Sequence, residues 1–444
     1  MAFRKNRQRL ESRLQRLQES PRQKLSRAFL ILLLTFVGLA HLKAAFLWQL
    51  SINNSANLAS FSTSLTDPDA LAGLARKEHL ANGNLPKALA LYQQSLANFV
   101  LHVPSWLGIA ELLNDQGQKD KAAAALRAVH AFAANTEDTA WTKALLADEL
   151  DQEDILADTL PWLAAHSASK LPEIFALADQ RWPDTATLMR HFNSAQYANL
   201  LRHYIQINEP GKAGTVWQGL EQAGLLTRDI ALHYVNFLLQ HDAIDRAAGI
   251  WRKHYQRDGS LLYDGSFKEP FLNSGFAWGI TRVKGVEWRQ LAGQGGLTIT
   301  FAGTDNVAFR LAQIVPLAPG RYLFKGLQQT KGLTTYQRPF WSISGYKCSG
   351  LARNETMAPE TSARQEFTLP FTVPDSCQAV QVALQRNTSY FFDNKLAGTI
   401  TVEGLRIEPL VAEAAPLPPQ ALAPEKSLGN SSATPISINK LQVH

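Results

Sequence analysis

Between Leu262 and Leu410 the chain gathers the residue types best suited to holding a sugar: Trp278, Trp288, Tyr336, Phe340, Trp341, Tyr390, Phe391 and Phe392. Sugar rings present C–H groups that stack on aromatic faces, while neighbouring polar groups fix the hydroxyls. Trp278 and Trp341 fall in strand-like alternation, which predicts core positions. Tyr336 and Arg338 fall in the loop-like TKGLTTYQRP, and Tyr390 and Asp393 in NTSYFFDN. Loops on a rigid scaffold are where binding residues gather. These four residues and Trp288 are the glycan-binding candidates, each competing with a structural role. The segment holds 15 Lys/Arg against 11 Asp/Glu, a net +4. That favours a polymer bearing carboxylates, which Arg can pair bidentately.

Catalytic chemistry finds little footing. No phosphate-binding Gly-x-x-x-x-Gly-Lys-Ser/Thr, Gly-x-Ser-x-Gly, His-Glu-x-x-His or Cys-x-x-Cys occurs, and Gly293-Gln294-Gly295-Gly296 reads as a turn before a strand. There is no histidine between His254 and His444. A Ser-His-Asp or Cys-His site, or a His-ligated zinc, therefore cannot form from that segment alone. His130, His191, His203 and His233 lack metal spacing and are expected to pack or face solvent. The run Asp148, Glu149, Asp151, Glu153, Asp154, Asp158 lacks the glycine turn of a calcium loop and reads as a solvated helix face. The expectation is a protein without catalytic residues, cofactor or metal. One enzymatic alternative stays open, since a glycosidase carboxylate pair has no fixed sequence spacing.

The elements that must position these residues change character along the chain. From Leu262 to Leu410 short β-rich runs with alternation are separated by Pro, Gly and Asn, which predicts an antiparallel sandwich of about eight strands. It contains the only two cysteines, Cys348 and Cys377. In an oxidising compartment such a pair forms a disulfide, closing a loop of about 30 residues for roughly 3.6 kcal/mol in the chain-entropy model. Two buried free thiols are the alternative.

Residues 69–260 are helical in texture, rich in Ala and Leu. NGNLPKALALYQQSL from Asn82 aligns with QGQKDKAAAALRAVH from Gln116 at an offset of 34, placing Ala88 on Ala122. GKAGTVWQGL from Gly211 aligns with DRAAGIWRKH from Asp245 at the same offset, placing Ala213 on Ala247 and Trp217 on Trp251. Between these pairs, Glu137 to Arg190 looks helical but out of register. The small-then-aromatic pairs Ala88/Tyr92, Ala213/Trp217 and Ala247/Trp251, with Trp106-Leu107-Gly108 opening a first helix, resemble the tetratricopeptide repeat. That resemblance implies a solenoid that binds protein partners, with the repeat residues serving packing.

The first 27 residues carry nine Lys/Arg against Glu11 and Glu19, a net +7 in a chain of +6. Everything after Arg27 therefore sums to 6 − 7 = −1. Residues 28–48 are apolar; 21 helical residues at about 1.5 Å each span roughly 31 Å, the thickness of a bilayer core. The basic flank predicts a cytoplasmic N-terminus and a bulk outside a bacterial inner membrane, in the periplasm. A signal peptide cleaved near Gly38-Leu39-Ala40 is the alternative. Leu10, Leu14 and Leu17 give the leader an amphipathic face suited to anionic headgroups, or it is a solvated arm. No basic surface of a folded domain points to nucleic acid. Residues 49–68 read as a linker and 411–444, rich in Pro, Ala and Ser, as a disordered tail. The fold class is thus multidomain α + β: transmembrane helix, helical-repeat solenoid, sandwich.

Within the sandwich, Asp264-Gly265-Ser266-Phe267-Lys268-Glu269-Pro270 resembles the first strand of galactose-binding-like jelly rolls, and Pro319-Gly320-Arg321-Tyr322 their turn into a central strand. GTITVEGLRIEPL resembles their closing strand. Asp264 and Lys268 depart from the usual Asn and Glu, so the family's calcium and ligand positions are not carried over. The whole arrangement resembles membrane-anchored tetratricopeptide-repeat proteins of bacterial exopolysaccharide clusters with a carbohydrate-module-like domain. It implies a non-catalytic scaffold of exopolysaccharide assembly or export, with the membrane, protein partners and a polysaccharide as its contacts. The alternatives are a general envelope protein–protein adaptor and a carboxylate-based polysaccharide-modifying enzyme.

Overall fold

A computed structural model describes residues 66–256, 258–293, 295–349, 351, 354–388 and 394–410. The expectations for the basic leader, the apolar run 28–48, the tail 411–444, and Tyr390 and Asp393 lie outside the described residues. Among the described residues no helix is long and apolar enough to cross a membrane. Internal contacts divide the chain at Thr227/Arg228 into two compact units.

Among the described residues the first unit holds ten α-helices: α1 Pro68–Leu80, α2 Leu85–Asn98, α3 Val103–Asp115, α4 Lys119–Phe132, α5 Glu137–Glu149, α6 Glu153–His166, α7 Leu171–Arg181, α8 Thr185–His191, α9 Tyr197–Gln206 and α10 Pro210–Gln222. Their boundaries follow local chemistry. Asp67 caps α1 by accepting from the Asp69 amide at 3.2 Å, and Asn84 caps α2 through the Lys87 amide at 3.3 Å. Proline opens α1, α2, α3, α7 and α10, where a missing N–H costs nothing. The turns between paired helices are left-handed at Gly83 (φ 63°), Gly117 (φ 72°) and Asp151 (φ 53°), three positions 34 residues apart.

This spacing corrects the reading of the middle segment. First helices start at 103, 137 and 171, and second helices at 119 and 153, so the period of 34 runs unbroken into α7. Register slips only where α8 shortens to seven residues and α9 begins 26 after α7. The repeat is hidden from sequence there because the small/aromatic pair becomes Leu156/Leu160, both fully buried, and Asp151 replaces the turn glycine. Asp is among the few non-glycine residues that tolerate a left-handed turn. The expected packing residues sit where the repeat needs them: Ala88, Ala122 and Ala213 are fully buried, Tyr92 and Trp217 nearly so, and Trp106 is half-buried.

The second unit begins with the hairpin α11 Arg228–Gln240 and α12 Ile244–His254, which among the described residues pack with ten strands. Ala247 and Trp251 are fully buried in α12. The strands are β1 Gly279–Ile280, β2 Val286–Gln290, β3 Leu297–Asp305, β4 Phe309–Pro316, β5 Gly320–Lys331, β6 Phe340–Gly345, β7 Asn354–Met357, β8 Ser362–Val373, β9 Ala379–Arg386 and β10 Lys395–Pro409. They form two five-stranded antiparallel sheets, ordered β1-β4-β9-β6-β7 and β2-β3-β10-β5-β8. The count exceeds the expected eight because β1, β2 and β7 are too short to show a period. The run opening at Leu262 is no strand. Asp264 and Phe267 have φ of 43° and 53°, and the Asp264 carboxylate accepts from the Lys268 and Glu269 amides at 2.9 Å each. A short acceptor that closes a turn on its own backbone competes with strand pairing. Gly265 is required there, since a Cβ would stand 1.8 Å from the Leu405 carbonyl oxygen.

The facing sheet surfaces bury Leu297, Ile299, Phe301, Leu311, Phe324, Ile343, Val382 and Ile400. Trp278 and Trp341 join that core, as alternation predicts. Cys348 and Cys377 are disulfide-bonded, tying the end of β6 to the start of β9.

Candidate functional site

The outer face of the first sheet carries a groove of about 600 Å³, within the range of small-ligand sites. Strand alternation builds its floor. Phe309, Leu311 and Val315 of β4 point into the core, so Arg310, Ala312 and Ile314 point out into the groove. Gly279 and Thr281 extend the floor at the β1 edge, and Gln381 of β9 continues it on the other side. Gly279 and Ala312 keep it low. Tyr346 and Lys347, just beyond β6, close one end.

The wall is α11, through Asn236, Leu239 and Gln240. Three contacts fix it. Asn236 donates from Nδ2 to Ser274 Oγ at 2.6 Å and accepts from the Gly275 amide at 2.8 Å. Lys347 Nζ donates to the Leu239 and Gln240 carbonyls at 2.8 and 3.3 Å and pairs with Asp242 at 2.6 Å. A cation on the last carbonyls is the favourable charge for a helix C-terminus. The Asp242 carboxylate bonded to it raises the lysine's pKa. Third, Trp251 of α12 stacks on Tyr255 at 4.3 Å and meets Tyr263 and Phe276 edge-on at 5.0 and 5.9 Å. Gly275 (φ 60°) lets the chain pass, because a Cβ there would lie 2.7 Å from the Trp251 ring. The aromatic of the repeat signature thus wedges a helix hairpin against the sandwich loops.

The groove's chemistry is polar and cationic. Asn236, Gln240, Asn273 and Gln381 bring four amides and Arg310 a positive charge, Lys347 spends its ammonium on the α11 carbonyls and Asp242, and none of the groove's described lining residues is Asp or Glu. Arg310 donates to Gln381 Oε1, which holds the guanidinium along the floor. Tyr346, half-buried, is the groove's one aromatic ring. Amides and a guanidinium beside a single ring suit hydroxyls and a carboxylate on a pyranose.

The sequence candidates lie elsewhere. Tyr336 is 85% exposed in the loop between β5 and β6 and does not line the groove. Arg338, in the same loop, comes within 4.0 Å of Glu360. That loop is braced by Arg386, 2% exposed, whose guanidinium donates to the carbonyls of Gln337, Val307 and Asn394 at 3.0, 2.8 and 2.6 Å. Trp288 packs edge-on against Phe271 at 4.9 Å beside the core. The acidic run does structural work: Asp151 and Glu153 pair with Arg181 at 2.9 and 3.8 Å, and Glu149 accepts from Asn114 at 2.8 Å. Residues missed by sequence reasoning are Asn236, Arg310, Tyr346, Lys347 and Gln381. Only the outward phase of β4 could have flagged one of them, Arg310.

No protein-family model matches the chain, and no curated protein matches it. Similar solved structures include CBM4, 20% identical over 34% of this chain and 99% of that one, with a TM-score of 0.26. The family 11 carbohydrate-binding module of Clostridium thermocellum, in complex with a mixed-linked tetrasaccharide, is 15% identical over 33% of this chain and 94% of that one, TM-score 0.24. YrrB, a TPR protein with an unusual peptide-binding site, is 10% identical over 44% of this chain and 89% of that one, TM-score 0.23.

Proposed function

We propose that this chain is a non-catalytic scaffold of exopolysaccharide assembly or export, anchored in a bacterial inner membrane with its bulk in the periplasm. Its helical unit holds protein partners, and its second unit holds an acidic polysaccharide in the groove walled by α11. The observation that carries the ligand class is the groove lining: amides, Arg310 and one tyrosine, with no carboxylate among its described residues. The Cys348–Cys377 bond fits an oxidising compartment. The basic leader before the apolar run supports the orientation.

The test is affinity electrophoresis of the full-length chain in detergent, through gels containing polygalacturonate or its carboxyl-reduced form. Retardation by the acidic polymer alone is expected, weakened by Arg310→Ala about tenfold or more, the scale of a lost charge-assisted hydrogen bond. Unchanged mobility in every gel removes the glycan reading and leaves a protein–protein adaptor. Shortening of either polymer revives the enzyme.

A further inference from the structure

The turn between α2 and α3 breaks the chemistry of its neighbours. The His102 amide donates to the Phe99 carbonyl at 3.1 Å, closing a tight turn with Val100 and Leu101 at its tip. Such tips normally carry Gly, Pro, Asn or Asp. One repeat later, 34 residues on, the same stretch reads Ala133-Ala134-Asn135-Thr136. Here Phe99, Val100 and Leu101 are 50, 64 and 51% exposed.

The tip is held rigidly. Trp106 Nε1 donates to the Val100 carbonyl at 2.7 Å, and the His102 ring contacts Ser105 at 2.9 Å and Asp69 at 3.0 Å. A braced apolar tip gains nothing from water, so its side chains suit an apolar medium. Its place in the unit says which one. Ser95 Oγ donates to the Pro68 carbonyl at 2.9 Å, so the end of α2 lies beside the start of α1. That is where the chain arrives from the apolar run. From Trp48 to Asp67 there are 67 − 48 = 19 residues. A random coil of 19 residues would average about 24 Å end to end. Phe132, which closes α4 of the next repeat, is also exposed at 39%.

We propose that the Phe99–Leu101 turn is a lipid-inserting tip that seats the helical unit on the bilayer surface, with Trp106 at headgroup level, where amphipathic rings settle. It rests on the membrane-anchored reading above. No Lys or Arg occurs between Lys87 and Lys119, so insertion is apolar and does not depend on anionic lipid.

The test reconstitutes the full chain into phosphatidylcholine liposomes containing spin-labelled phosphatidylcholine. An environment-sensitive fluorophore is placed on Val100→Cys, or on Ala81→Cys at the far end of α1; the native cysteines are bridged and take no label. The expected result is flotation with the liposomes, quenching several-fold stronger at position 100 than at 81, and no change at high salt. Equal quenching at both positions in floating protein overturns the tip while leaving the anchor. A blue shift at 100 without quenching means that protein covers the turn, which also overturns it. A chain that does not float defeats the anchor reading, and this inference with it.

Discussion

In the helical unit almost everything that matters is one repeat away; in the sandwich unit it is a hundred residues away. Ala88 and Ala122, or Gly83, Gly117 and Asp151, do the same job 34 positions apart, so a short window contains its own explanation. Lys347 instead secures the groove wall by reaching Leu239 across 108 residues. A solenoid repeats its contacts along the chain, whereas a sandwich assembles its faces from strands distant in sequence. The repeat therefore shows its packing in sequence. The sandwich shows its core and hides its groove.

The largest effects should come from confronting the two versions of the repeat. Leu156 fills the slot that Ala88, Ala122 and Ala213 occupy elsewhere, and it is fully buried. Leu156→Ala should cost about 2–5 kcal/mol, the range for emptying a fully buried leucine site. Ala213→Leu should cost about 1–3 kcal/mol by crowding Trp217. Denaturation of the full chain, followed by hydrogen exchange in α6 and α10, reads both. If the swaps are neutral, the four positions are not equivalent and the period of 34 has no energetic meaning.

In the sandwich the comparable test is covalent. Cys348 and Cys377 close a loop with a separation of 29, worth about 3.6 kcal/mol in the chain-entropy model. The denatured, unreduced chain should resist alkylation and take two labels after reduction. The double Cys→Ala variant should lose stability in the strands and leave α1 to α10 untouched. Loss in the helices as well would mean that the units do not melt independently.

Legibility followed the same division. The 34-residue period, the buried Ala/Trp pairs, the core positions of Trp278 and Trp341 and the paired cysteines were readable, because each depends on spacing or residue type. The middle repeat was not, since Leu156 and Asp151 satisfy its geometry with other side chains. The opening run at Leu262 misled for a local reason: its alternation is that of a strand, but the Asp264 carboxylate takes the Lys268 and Glu269 amides and folds it into a turn. The groove was unreadable because Asn236, Arg310, Tyr346 and Gln381 have no shared spacing. Exposed aromatics in loops drew attention to Tyr336 instead.

That last contrast can be put to the molecule. Tyr346 lies in the groove and Tyr336 on a loop outside it. Stacking on a ring contributes about 0.5–1.5 kcal/mol, so Tyr346→Ala should weaken polysaccharide binding roughly 2–12-fold. Tyr336→Ala should leave affinity unchanged in the same gels. The reverse pattern would move the site from the sheet face to the loop end.

The smallest expected effect separates the units by pH. His203 of α9 is 8% exposed beside Phe175, with ring centroids 5.5 Å apart, and burial lowers its pKa. Nearby Asp179 opposes that shift and Lys212 adds to it. An unfolded histidine takes up a proton below about pH 6.5, while the buried one resists. The unfolded state then binds more protons, so this contribution is fully present above pH 6.5 and is lost as pH falls below it. The strands contain no histidine. Half-buried Asp264, in the turn that precedes them, has its pKa raised, by desolvation first. The folded state there holds its proton more readily than the unfolded one, so stability rises as pH falls through the raised pKa toward the ordinary aspartate value. Acidification from pH 7.5 to 5.5 should therefore loosen hydrogen-exchange protection around α9 and leave the strands level. His203→Gln, which cannot titrate, should flatten the helical response. If wild type and variant lose protection in parallel, burial of this imidazole is not what makes the helical unit acid-sensitive.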